Sequence, residues 1–242
     1  MLQTYFRFLG VSSFLLSVIG LMGCSTTPQK AHSYSAKQLY EFACSPGRKV
    51  QSVQGDVRLQ IKSSEISGQF SAHAEVLSPD QLKLEVTNFV GGTEARILVR
   101  SDQYEITRFR GDESSQKSKA STWGGIPLKW AAGLFLGRIP CPELDSDAEL
   151  RFDAEGSLTV SVVPKGNGPD QKFIYSFKER NDSLWPAALH WEQEGPSPAT
   201  LDFTFDEPEQ GTLSPLKWEA RSQQGGVKVR WRERQAALFP AD

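Results

Sequence analysis

Apolar and polar residues alternate along most of this chain. In "GDVRLQIKS" Val57, Leu59 and Ile61 are separated by Arg58, Gln60 and Lys62, and in "GQFSAHAEV" Phe70, Ala72, Ala74 and Val76 are separated by Gln69, Ser71, His73 and Glu75. A period of two belongs to a strand with one wet face and one buried face. It returns at Leu82, Leu84 and Val86; at Ala95, Ile97 and Val99; at Leu158, Val160 and Val162; and at Phe173, Tyr175 and Phe177. Leu189 and Trp191 continue it, followed by Leu201, Phe203 and Phe205, then Leu216, Trp218 and Ala220, and finally Val227, Val229 and Trp231. With the weaker "QYEITRF", the pattern predicts about eleven strands, separated by turn signals such as "SPDQ", "VGGT", "DAEGS" and "SQQGG". Consecutive strands of this kind make an antiparallel meander.

A sheet of that size twists and curls. The predicted fold class is therefore mainly β: a single curled antiparallel sheet forming an incomplete barrel, its apolar concave side covered by short helices. Phe70, Phe173, Phe177, Trp191, Phe203, Trp218 and Trp231 fall on the inner face. A transmembrane barrel would place them outside, but Lys, Arg and Glu on the polar face of almost every strand, and the lack of aromatic girdles, argue against that.

Two segments break the alternation. "SAKQLYEFACS" reads as a helix opening with Ser35 as N-cap. "GGIPLKWAAGLFLG" has Pro127 placed to open a helix, Gly137 to close it, and one charge, Lys129. Trp130, Leu134, Phe135 and Leu136 leave this second helix no polar face. About ten residues make ~15 Å of helix, enough to lie across the mouth of a curled sheet as a plug. The plug either completes the core or acts as a lid over a cavity.

The chain begins "MLQTYFRFLGVSSFLLSVIGLMGCS", with Arg7 ahead of an apolar run from Phe8 to Met22. Such a run is short for a bilayer span but suits a signal peptide. Leu21, Met22 and Gly23 before Cys24 resemble the bacterial lipobox, which implies cleavage before Cys24 and acylation of that cysteine. Ser25, rather than Asp, follows it, which favours the outer membrane by the sorting rule of enteric bacteria. The expected organisation is a signal peptide over 1–23, an acylated flexible tether over 24–34, and one domain over 35–242.

Loss of 1–23 removes only Arg7 from the charge count, taking the net charge from −2 to −3 with both signs scattered. Nucleic acid is thereby an unsuitable partner. Cys44 and Cys141 are candidates for a disulfide in an oxidising periplasm, each beside a predicted helix end; two buried free thiols are the alternative. No enzyme motif is present: there is no "GxSxG", P-loop or "HExxH", and no pair among His32, His73 and His190 has metal-ligand spacing. Glu143, Asp145, Asp147 and Glu149 lack the glycine and terminal glutamate of a calcium loop and read as a solvated loop. No cofactor, metal or catalytic residue is expected.

Two segments carry a family resemblance. Thr87 to Glu94, within "TNFVGGTEARILV", is similar to the "TNPLGSTEL" hairpin of the LolB family of outer-membrane lipoprotein-localisation receptors, within the LolA/LolB-like fold. Ile126 to Gly137 is similar to that family's "IPL…WILG" helix, and "LWPAALHWE" resembles its "MP…L" strand start. The Cys44 and Cys141 pair and the stretch "GPSPATLDFTFDEPEQGTLSP" depart from the family pattern, and Val90 is shorter than a leucine probe. The resemblance implies a non-enzymatic receptor on the periplasmic face of the outer membrane. It would accept lipoproteins by their acyl chains from a soluble LolA-like carrier and pass them to the membrane. On that reading Phe70, Leu84, Ile97, Trp130, Leu134, Phe135, Phe173, Phe177 and Phe203 meet the acyl chains. Phe89 and Val90 form a membrane-contact loop tip; alternatively Phe89 folds onto the core and Val90 is an isolated surface valine. The competing readings of function are an anchored structural or interaction domain with a filled barrel, and a carrier or sensor of another envelope lipid.

Overall fold

The structure, a computed structural model, describes residues 34–239 except 65–66, 89, 101–102, 110–113, 119–121, 124, 143–148, 153–158, 165–169, 181–182 and 209–214. The expectations for the leader, the tether, Cys24, Phe89, Leu158 and the loop at 143–148 lie outside the described residues. Ser35–Asp242 forms one compact unit, and it holds every described core residue.

Helix α1, Ala36–Cys44, starts where the sequence places it. Ser35 accepts from the Gln38 backbone N–H at 3.2 Å, while the Gln38 side chain accepts from the Ser35 N–H at 2.8 Å, satisfying two donors that a helix start leaves open. A first meander follows: β1 (Val50–Ser63), β2 (Ser67–Ser78), β3 (Gln81–Thr87), β4 (Thr93–Arg100), β5 (Gln103–Arg108) and β6 (Ser114–Ser118). The chain then crosses through a short hairpin, β7 (Thr122–Trp123) and β8 (Ile126–Pro127), a 3-10 turn at Leu128–Trp130, and helix α2 (Ala131–Phe135). A second meander runs through β9 (Glu149–Phe152), β10 (Thr159–Val163), β11 (Gln171–Arg180), β12 (Ser183–Gln193), β13 (Ala199–Phe205), β14 (Lys217–Ser222) and β15 (Gly225–Trp231), ending at β16 (Gln235–Leu238).

The two meanders join where β1 pairs with β15, giving a single sheet in the order β6-β5-β4-β3-β2-β1-β15-β14-β13-β12-β11-β10-β9, with β16 alongside β1. Among the described residues the sheet is open and has fourteen strands, three more than the alternation predicts. The additional three are β6, β9 and β16. The sequence of β6, "SSQKS", has no apolar residue, and all four residues of β16 are exposed, so neither shows a period of two. For β16, backbone pairing with β1 rather than burial of a face makes the strand.

This topology dictates where the crossing segment goes. It must connect β6 at one edge of the sheet with β9 at the other, and the concave side is the short route. Alternation then closes the core around it: Val57, Leu59 and Ile61 are buried while Arg58 and Lys62 are exposed, and Tyr175, Leu189, Leu201 and Phe203 are almost fully buried. The second helix is shorter than its sequence predicts. Pro127 does not open it: with ψ at 125° that residue is extended and pairs with Thr122. Helical structure begins as the 3-10 turn, and the α-helical part has five residues. Gly137 does close it, at φ 82°, with Arg138 N–H bonded to the Gly133 carbonyl at 2.8 Å and Gly137 N–H to that of Leu134 at 3.0 Å.

Candidate functional site

The plug divides the concave face into two parts. On one side its rings fill the space. Trp130 meets Trp191, Phe203 and Phe173 edge-on at centroid distances of 5.2, 6.0 and 6.5 Å, and Phe135 meets Trp218 and Trp231 at 5.7 and 5.9 Å. Edge-to-face pairs of this kind contribute about 0.5–1.5 kcal/mol each beyond their burial. Phe173 and Phe203, expected to meet an acyl chain, are in contact with Trp130 in this structure.

On the other side, between the plug and β1, β3, β4 and β15 and with the Phe135–Trp218 pair as a shared wall, an apolar cavity of about 50 Å³ remains. Leu59, Leu82, Leu84, Val99, Leu134 and Phe135 contribute to its wall. It reaches the rim beside Lys62, Ser63 and Pro127. Of the residues the sequence assigns to acyl chains, Leu84, Leu134 and Phe135 stand on this wall. Ile97 is buried opposite Leu84 on β4, Phe177 is buried on β11, and Phe70 is half-buried with its ring over Gly68. Leu59, Ile61, Leu82 and Val99 belong to the wall as well. Their period of two was visible; their position along a curved face was not.

One end of the plug is firmly held. Cys44 and Cys141 form a disulfide with Cα atoms 5.9 Å apart, across 97 residues of sequence. Tyr40 donates to the Pro142 carbonyl at 2.6 Å and Tyr175 to that of Pro140 at 2.8 Å. Burial pushes the Tyr175 phenol well above its ordinary value of 10.0, keeping it a donor. Arg138 donates to the carbonyls of Gly47 and Val50, each at 3.3 Å. Gly47, at φ 70°, lies so close to the plug that a Cβ there would sit 2.7 Å from the Gly137 carbonyl carbon. The other end, at Lys129 and Trp130, is held by ring contacts, with Lys129 over the Trp130 ring at 5.5 Å.

The β3–β4 hairpin presents Val90 at 72% exposure. The Asn88 side chain organises the tip by accepting from the N–H of Val90 at 3.1 Å and of Gly92 at 2.8 Å. Among the described residues no His, Cys, Asp and Glu are grouped as metal ligands, and no helix is long and apolar enough to cross a membrane.

His190, on β12, has two carboxylate partners. It lies opposite Asp202 on β13 and bonds to that carboxylate at 2.6 Å and to Glu192 at 2.9 Å. Burial disfavours its charge, but the two carboxylates prevail and hold the imidazole above its ordinary value of 6.5. The folded state thus binds the proton more tightly than the unfolded one. The resulting stability is complete below the unfolded value and is lost as pH rises through the folded value. A loss of melting temperature as pH rises above the ordinary histidine value, absent in His190→Ala, is the expected outcome, checked by thermal unfolding across the neutral range.

No protein-family model matches this sequence, and no curated protein is similar to it in sequence. Solved structures are similar in fold. A DUF1329 family protein from Desulfovibrio piger superposes with a TM-score of 0.52 at 10% identity, covering 86% of this chain and 95% of the other. A LolA superfamily protein from Nitrosomonas europaea gives a TM-score of 0.48 at 10% identity, covering 86% and 96%. The Mycobacterium tuberculosis lipoprotein LppX gives 0.32 at 12% identity, covering 84% and 96%. The first of these likenesses speaks to fold alone, and the other two carry no weight beyond their report.

Proposed function

We propose that this chain is a non-enzymatic, lipid-anchored receptor on the periplasmic face of the outer membrane that accepts lipoproteins by their acyl chains from a LolA-like carrier and delivers them to the membrane. The observation that carries the reading is the cavity beneath the plug. Its wall is apolar, it reaches the rim, and its cover is a 3-10 turn of three residues followed by a helix of five. Acyl chains need no polar partner to bind such a surface, since each buried CH₂ contributes ~0.8 kcal/mol. The present volume of about 50 Å³ corresponds to a closed state, because sites for lipid-sized ligands measure ~300–1,000 Å³. Uptake then requires the Trp130 end of the plug to swing outward from the end fixed by the disulfide.

The same small volume favours one other reading, an anchored domain whose half-barrel is filled. Fluorescence separates the two. The folded unit 35–242, given a fluorescent fatty acid, is expected to show saturable emission that unlabelled fatty acid displaces. Absence of saturable emission from the folded unit would contradict the receptor reading and support the filled domain. Delivery has its own check. Val90→Glu is expected to leave uptake unchanged and to slow transfer of bound lipoprotein to liposomes roughly tenfold, since burying this side chain contributes ~1.5–3 kcal/mol. An unchanged transfer rate would remove the hairpin tip from the delivery step.

A further inference from the structure

The face opposite the core carries a concentration of positive charge that the scattered charges of the sequence conceal. Strand register aligns Thr87, Ser71, Arg58, Arg230 and Lys217 in one row across β3, β2, β1, β15 and β14. Arg58 and Arg230 are directly opposite one another, and so are Arg230 and Lys217. Like charges in that relation destabilise a sheet. Beside the row lies an open groove of about 1210 Å³, lined by six cationic side chains: Arg58, Lys178, Lys217, Lys228, Arg230 and Arg232. Its two carboxylates are already engaged, Asp206 with Lys217 at 3.2 Å and Glu207 with Arg180 at 3.4 Å. Among the described residues, Arg58, Arg230 and Arg232 have no carboxylate partner, in a chain whose net charge is −2.

The groove also has apolar surface. Leu216, 37% exposed, gives it an apolar margin, with the buried rings of Trp185, Phe205 and Trp231 beneath. A bilayer surface rich in phosphate supplies what this groove lacks: anionic oxygens for the unpaired arginines, beside an exposed apolar residue, Leu216. The charges stop at Arg58, but the same register row continues through Ser71 to Thr87, where the β3–β4 hairpin that exposes Val90 begins, so the basic groove and the apolar tip share one end of the sheet.

We propose that this groove is a docking site for the phosphate headgroups of an anionic bilayer, orienting the domain on the membrane. The site is separate from the cavity under the plug and holds whether or not that cavity takes acyl chains. A soluble anion would need only a few donors converging on one point, whereas these cations are spread along a row with an apolar margin. Neutralising a Lys or Arg near an anionic bilayer surface lowers partitioning by about fivefold.

Vesicle co-sedimentation tests the site. Unit 35–242, free of its lipid anchor, is mixed with vesicles of phosphatidylglycerol and phosphatidylcholine or of phosphatidylcholine alone. Binding to the anionic vesicles alone, weakened about twentyfold in Arg58→Gln/Arg230→Gln and by raised salt, is expected. Leu134→Glu, which acts on the cavity, is expected to leave that binding unchanged, so failure of one site is distinguishable from failure of the other. Both arginines are solvent-exposed, and an unchanged circular dichroism spectrum verifies that the double variant is folded. Equal binding to both vesicle types, an unweakened double variant, or binding to an oligonucleotide or inorganic phosphate with none to vesicles would overturn the proposal.

Discussion

Leu134→Glu is expected to abolish acyl-chain uptake, with at least a hundredfold loss of affinity for a fluorescent fatty acid. Leu134 is 2% exposed and stands on the cavity wall, whose one described cation, Lys62, is at the rim. A carboxylate introduced there loses its hydration, and unfolding stability falls by on the order of 3–5 kcal/mol. Loss of uptake through general unfolding is separated from loss through the cavity by a second variant. Ala131→Leu adds an isopropyl group to the same wall without a charge. It is expected to keep a cooperative unfolding transition and to lower affinity about tenfold by occupying the space. Full affinity in a folded Ala131→Leu protein would show that acyl chains do not enter beside the plug.

The second large effect belongs to the disulfide. Cys44→Ala/Cys141→Ala is expected to lose about 4–5 kcal/mol of unfolding free energy, because the bridge closes a loop of 97 residues whose freedom in the unfolded chain is otherwise unrestricted. Urea denaturation gives the value directly. Intact-mass measurement after alkylation without reductant is expected to find neither cysteine modified. The bridge joins α1 to the segment just beyond the plug, so its loss also frees the anchored end of the cover. Faster fatty-acid uptake at lower stability is the combined signature. Unchanged uptake kinetics would mean that the cover moves without involving this end.

Much of the fold was legible because a period of two is a direct record of burial. Arg58 between Val57 and Leu59 declares its face without any knowledge of its neighbours. Strands whose sequence does not alternate leave no such record: β6 and β16 pair with β5 and β1. The helix at 126–137 was legible as a break in the alternation, and its end at Gly137 as a cap. Its beginning was misread, because a proline suits the first turn of a helix and an extended bridge equally well; the pairing of Thr122 with Pro127 decides between them.

The candidate site was legible only in part. Alternation assigns Leu84, Phe173 and Phe203 to the inner face but does not say which part of a curved surface lies open. Trp130 makes the difference by filling the region of Phe173 and Phe203 and leaving that of Leu84 free. The basic row was hidden for a related reason. Arg58, Lys217 and Arg230 are far apart in sequence, and only the register of β1, β15 and β14 brings them side by side.

The central claim, that acyl chains enter the apolar space under the plug, is tested most directly by locating a bound chain. A fatty acid with a photoreactive terminal carbon is bound to unit 35–242, irradiated, and mapped by peptide mass spectrometry. The account predicts adducts on the plug around Leu134 and Phe135 and on the facing strands around Leu59, Leu82 and Leu84, all competed by unlabelled fatty acid. Adducts confined to the outer face of the sheet, or none that compete, would contradict it.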